Sequence, residues 1–165
     1  MQVYRSIESL FTTDTPDVLW RDPRRYAAVA LDVHPATHHH LLVVIRTPDA
    51  ARSQVRMPWH HLPAAIRQAG HLLVDLAQER LYEMVAPPDV VTTVMSGRSV
   101  IEPHVHLMSG GDPTELWRAE RYHDTNKLEP DLCGALAGEI DFWAVAERAD
   151  TIFEGVDFSP LGRPD

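Results

Sequence analysis

The sequence predicts an α+β fold: a five-stranded antiparallel sheet with one main helix, plus a helical C-terminal extension. Three observations carry that prediction. Short apolar or β-branched runs, divided by Pro- and Gly-containing breaks, recur through residues 18–111. One long stretch among them, residues 62–81, repeats its apolar residues at helical spacing. Two more helical patterns come after Pro113, so the helices gather at one end instead of alternating with strands as a doubly wound sheet requires.

The elements follow in order. Residues 1–17 carry the turn-rich run Thr12, Thr13, Asp14, Thr15 and Pro16, and read as a leader packed loosely on the domain. Residues 18–20 (VLW) suggest a short strand, and Asp22-Pro23 in RDPRR marks a turn. Residues 26–32 (YAAVALD) form a second strand, broken at His34-Pro35. Residues 40–46 (HLLVVIR) form a third, whose almost continuous apolar character places it centrally. Residues 47–61 are polar and irregular, with Pro48 and Pro58. In the helix that follows, Leu62, Ile66, Ala69, Leu72, Leu73, Leu76 and Leu81 make the apolar stripe, and Pro63 suits its first turn. Pro87 and Pro88 stop it. Residues 89–94 read as a fourth strand, and the segment between Gly97 and Gly111 as a fifth. A charged helix opens at Pro113 with Asp112 as its cap, and an amphipathic helix spans residues 131–149. Trp117, Tyr122 and Trp143 are expected to pack this extension onto the sheet, and the tail after Asp150 to lie across the surface.

Composition narrows the function classes. At 165 residues and 44% hydrophobic, the chain suffices for one domain, with a core at about 17–112 and the extension at 113–165. No run approaches the roughly 18 apolar residues of a membrane span, and MQVYRSIESLF lacks the order of a signal peptide. Cys133 is the one cysteine, so an intrachain disulfide is impossible and a cytoplasmic location is expected. The formal net charge of −9, without any basic run, argues against a nucleic-acid partner. A membrane partner is not expected either.

The segment GRSVIEPHVHLMSGG concentrates the chemistry. Successive side chains of a strand point to opposite faces, so Glu102, His104 and His106 share one face while Val105 and Leu107 turn to the core. His60, His61 and His71 read instead as a helix entry and a helix face with structural roles.

With these residues in view, the chain resembles the histidine triad superfamily of nucleotide hydrolases and transferases, whose motif alternates three histidines with apolar residues. The likeness runs from about residue 17 to 111. It includes the strand–turn–strand at residues 18–46, the step Asp32-Val33-His34-Pro35 into His40, and the Gly-x-Ser-Val step at Gly97, Ser99 and Val100. Two registers are possible on the triad: His104, His106 and Met108, or Glu102, His104 and His106. The second stays in step with Gly97 and Ser99 without a gap. It sets Pro103 just before the nucleophile, as in the galactose-1-phosphate uridylyltransferase branch, and replaces the first histidine by Glu102.

The resemblance implies a reaction at the α-phosphorus of a nucleotide conjugate. His104 would attack as a neutral imidazole and form a nucleotidyl-histidine that water or a second acceptor resolves. His106 and His40 would donate to phosphoryl oxygens or protonate the leaving group. Ser99, Gly97 and nearby backbone N–H groups would contact the phosphate, and Asp32 the ribose hydroxyls. In the family the nucleophile's far nitrogen is held by the backbone carbonyl of the first triad position, so Glu102 can stand there, adding negative charge near the phosphate. The resemblance implies no cofactor and no metal, a small-molecule nucleotide substrate and a homodimer. Two other classes remain open. Glu102, His104 and His106 are metal-ligand types, but one strand spreads its first and last member over roughly 13 Å, so a further ligand such as His40 would be needed. A degenerate triad could also serve as a non-catalytic nucleotide-binding module.

Overall fold

The computed structural model describes residues 8–14, 18–32, 39–84, 91–96, 102–109 and 142–164. The apolar run LLVVI lies in β3 (His39–Ile45), where residues 41–45 are all buried. β3 is flanked by β2 (Ala27–Leu31) and β5 (His104–Ser109). Outside these lie β1 (Val18–Arg21) and β4 (Val91–Ser96), giving the order β1-β2-β3-β5-β4. Every neighbouring pair is antiparallel. With its helices set apart from these strands, the protein is α+β, as the patterning predicts.

The β1–β2 turn forms where Asp22-Pro23 announces it. The Asp22 carboxylate accepts the Tyr26 N–H at 2.8 Å, and the Asp22 carbonyl accepts the Arg25 N–H at 2.8 Å. A short loop so fixed sets the register that puts Arg21 opposite Ala28.

One face of the sheet packs on helix α2 (Ala64–Met84), preceded by a short helix α1 (Pro48–Arg52) in the segment expected to be irregular. α2 starts two residues later than the periodicity suggests. Leu62, held at ψ 142° ahead of Pro63, cannot take helical geometry. Ile66, Ala69, Leu73, Leu76, Ala77 and Leu81 bury one stripe of α2 against Val29, Leu31, Val43, Ile45, Val105 and Leu107. Leu72 falls off that stripe and is 55% exposed. Removing a fully buried leucine such as Leu73 costs about 2–5 kcal/mol. Gly70 permits a close approach: a Cβ there would meet Trp59 Cζ2 at 2.8 Å.

Both ends of the chain depart from expectation. The leader does not pack loosely: in the 3-10 turn Glu8–Phe11, Leu10 and Phe11 are fully buried on the sheet's second face against Ala28, Ala30, Leu42 and Val44. The tail does not lie across the surface. A 3-10 turn, Phe142–Val145, leads into α3 (Ala146–Phe153), which continues beyond the expected end of the helix. Phe153 stacks on Trp20 with centroids 5.7 Å apart, and Phe158 on Tyr26 at 4.5 Å. Arg24 donates to the carbonyls of Phe153 and Val156 at 2.6 Å each, and the Tyr26 hydroxyl donates to the Gly162 carbonyl at 2.6 Å. Trp143, expected on the sheet, stays exposed while its neighbour Phe142 is buried. The helix expected from Pro113, with Trp117 and Tyr122, lies outside the described residues. No described helix is long and apolar enough to cross a membrane.

Candidate active site

Three neighbouring strands bring the polar residues together on the second face. Leu31 pairs with Leu41, so Asp32 and His40 come next on their strands, and the Asp32 N–H donates to the His40 carbonyl at 2.8 Å. On the other side of β3, His104 stands opposite Val44, His106 opposite Leu42 and Met108 opposite His40. Side chains two apart share a face, so Asp32, His40, His104 and His106 join the face that carries Ala28, Ala30, Leu42 and Val44. His40 and His106 are diagonal neighbours across the ladder, within reach for long side chains.

Their contacts are direct. His40 Nε2 and His106 Nδ1 lie 2.7 Å apart, a hydrogen-bonding distance. Asp32 Oδ2 is 3.4 Å from His40 Nε2 and 3.9 Å from His106 Nδ1. The His104 and His106 rings meet edge to face with centroids 5.0 Å apart. All three imidazoles are buried, and the Asp32 side chain retains 15% of its exposure.

His104 is fixed differently from its neighbours. Its Nδ1 lies 3.0 Å from the Glu102 carbonyl oxygen. A carbonyl only accepts, so Nδ1 carries the proton, and in the neutral ring Nε2 holds the lone pair. Burial lowers the His104 pKa from 6.5, partly opposed by the Glu102 carbonyl and the Asp32 charge, which both favour the protonated form. Burial thus favours the neutral imidazole, and the backbone carbonyl defines Nε2 as the nitrogen that keeps its lone pair.

Glu102 sits in the bend before β5 and is buried. Desolvation raises its pKa, as does the Glu8 charge, against the opposing effects of its own backbone N–H and of Arg46. Its backbone oxygen thus serves His104, while its carboxylate lies in the field of the leader and of Arg46. The buried Arg46 pairs with Glu8 across the edge of this face and lies 5.5 Å over the Phe11 ring. Neither Arg46 nor Glu8 stands out in the sequence. The one available signal is a lone cation ending the apolar run of β3.

Of the residues the sequence singles out, Asp32, His40, His104 and His106 converge, and Glu102 contributes its carbonyl. Gly97 and Ser99 lie outside the described residues. His71 accepts from Trp59 Nε1 at 3.3 Å and belongs to the α2 side, away from this cluster. Among the described residues one group has metal-ligand donors clustered, and it is Asp32, His40 and His106, not the single-strand set Glu102, His104 and His106.

No family model matches this chain, and no curated protein matches it in sequence.

Proposed function

We propose that the protein hydrolyses or transfers at the α-phosphorus of a nucleotide conjugate, through a covalent nucleotidyl intermediate on Nε2 of His104, as a divergent member of the histidine triad superfamily. The observation that carries this reading is the 3.0 Å approach of His104 Nδ1 to the Glu102 carbonyl. A nucleophilic imidazole needs one nitrogen tied down as a donor and the other left with its lone pair, and a neutral ring avoids repulsion by an anionic phosphate.

In the first step the Nε2 lone pair forms the N–P bond as the bond from phosphorus to the leaving group breaks. His106 and His40, sharing a hydrogen bond at 2.7 Å, supply a proton to the departing group. In the second step water or another acceptor attacks phosphorus and loses its proton to the same pair, and His104 departs. The Asp32 carboxylate beside both rings keeps them oriented and favours their protonated forms as charge moves. Asp32 remains the proposed acceptor for the ribose hydroxyls. Gly97 and Ser99 remain the proposed phosphate contacts, and a homodimer the proposed assembly.

Intact-protein mass spectrometry after brief mixing with adenylated and guanylated compounds tests this. The expected result is the added mass of a nucleoside monophosphate on the full chain, absent from His104→Ala. A panel that binds but leaves no adduct would convert the site into a nucleotide receptor.

A further inference from the structure

Asp32 Oδ2, His40 Nε2 and His106 Nδ1 form a triangle with edges of 2.7, 3.4 and 3.9 Å. A triangle with those edges has a centre about 2.0 Å from every corner, the length of a zinc–imidazole or zinc–carboxylate bond. We propose that these three residues bind one divalent transition ion of the zinc class.

The donor chemistry suits that class. Two imidazole nitrogens and one carboxylate oxygen are ligands of zinc and its first-row neighbours, whereas magnesium and calcium take oxygen donors. With both rings neutral and the carboxylate ionised, a divalent ion leaves a net charge of only +1 in the buried site.

The backbone also prepares the geometry. The three residues occupy adjacent strands, tied by the Asp32 N–H to His40 carbonyl bond and by the β3–β5 ladder that sets Leu42 opposite His106. The donors are thus brought together by sheet register, and the 2.7 Å His40–His106 contact would open to the roughly 3.3 Å that tetrahedral coordination at about 2.0 Å requires. The His40–His106 contact holds one proton between two lone pairs, and an ion would take that proton's place. Three protein ligands leave a fourth position for water or a phosphoryl oxygen. His104 is not part of the triangle: the clustered donors are those of Asp32, His40 and His106.

The ion and the acid–base roles of His40 and His106 exclude each other, because a ring nitrogen that holds a metal has no lone pair left to carry a proton; the site is therefore tested without nucleotide. The metal-free full chain is titrated calorimetrically with zinc chloride alone, and with magnesium chloride as the contrasting ion. One zinc per chain is expected, with magnesium failing to compete. His40→Ala and His106→Ala should each weaken zinc by well over about 100-fold, beyond the roughly 10–100-fold that losing an outer-shell partner usually costs. His104→Ala should retain zinc binding while losing any nucleotidyl adduct, so the two ideas fail separately. If the ligand variants do not fold, X-ray absorption of the zinc-loaded wild type decides. Two imidazoles in the first shell support the site, and fewer overturn it. Absent stoichiometric binding, equal binding of magnesium, or zinc affinity preserved in His40→Ala would each also overturn it.

Discussion

The two faces of the sheet are built from the same strands and carry opposite chemistry. Toward α2, Val29, Leu31, Val43, Ile45, Val105 and Leu107 present an unbroken apolar surface. On the other face Ala28, Ala30, Leu42 and Val44 are capped by Leu10 and Phe11, and the surface then turns into Asp32, His40, His104 and His106. A one-residue step along β5 takes the chain from Val105 in the core to His106 in the cluster. Burying imidazoles and a carboxylate costs desolvation that the apolar face does not incur. The second face therefore spends stability that the first supplies, the pattern expected where a fold carries a functional site.

Substitutions on β5 separate the faces most sharply. His104→Ala is expected to abolish the nucleotidyl adduct completely while the protein remains folded by circular dichroism. Leu107→Ala, on the opposite face of the same strand, should lower stability by about 2–5 kcal/mol in denaturant melts, with adduct formation per folded molecule preserved. An adduct surviving in the first, or lost from well-folded protein in the second, would erase the distinction.

The leader gives the next largest effect. Phe11→Ala should cost about 3–5 kcal/mol, because the ring is fully buried on the second face. A change within experimental error would return residues 8–11 to the loosely packed role their composition suggests.

The pH dependence is smaller and has a defined sign. The folded His104 has a pKa below 6.5, so as pH falls through 6.5 the unfolded chain takes up its proton first. Stability should thus decline below about pH 6.5, and this part of the decline should be missing from His104→Ala in melts across that range. Glu102 acts in the opposite sense. Its carboxyl is raised above 4.5, so the folded state holds its proton longer, and ionisation near neutral pH is unfavourable. Glu102→Gln should raise the melting temperature at pH 7, because it removes the charge that burial disfavours. A lowered melting temperature would mean that the carboxylate has a favourable partner in the native state.

The sequence reveals one face far better than the other. Continuous apolar runs expose β2 and β3, which are buried on both faces, while alternation exposes β5 and the 3.6-residue period exposes α2. Alternation alone puts His104 and His106 on one side. Meeting His40 and Asp32 requires a register across two strand pairs, which only the resemblance, not spacing, suggests. For the same reason the sequence offers His40 as a partner for the β5 histidines but not Asp32, which the strand register brings beside His40 and His106. The ends of the chain were illegible for a different reason. Leu10, Phe11, Phe153 and Phe158 lie in or beside short turns without a period, and they are buried by partners far away in sequence, such as Ala28 and Trp20. Polar neighbours such as Glu154 and Asp157 disguise them as surface.

Long-range proton–nitrogen correlation NMR on histidine-15N protein at pH 7, with His104 assigned by substitution, tests the central claim most directly. A neutral His104 ring with its proton on Nδ1 and an unprotonated Nε2 is the predicted result. A proton on Nε2, or a doubly protonated ring, would remove the Nε2 lone pair that the proposed attack needs and contradict the account.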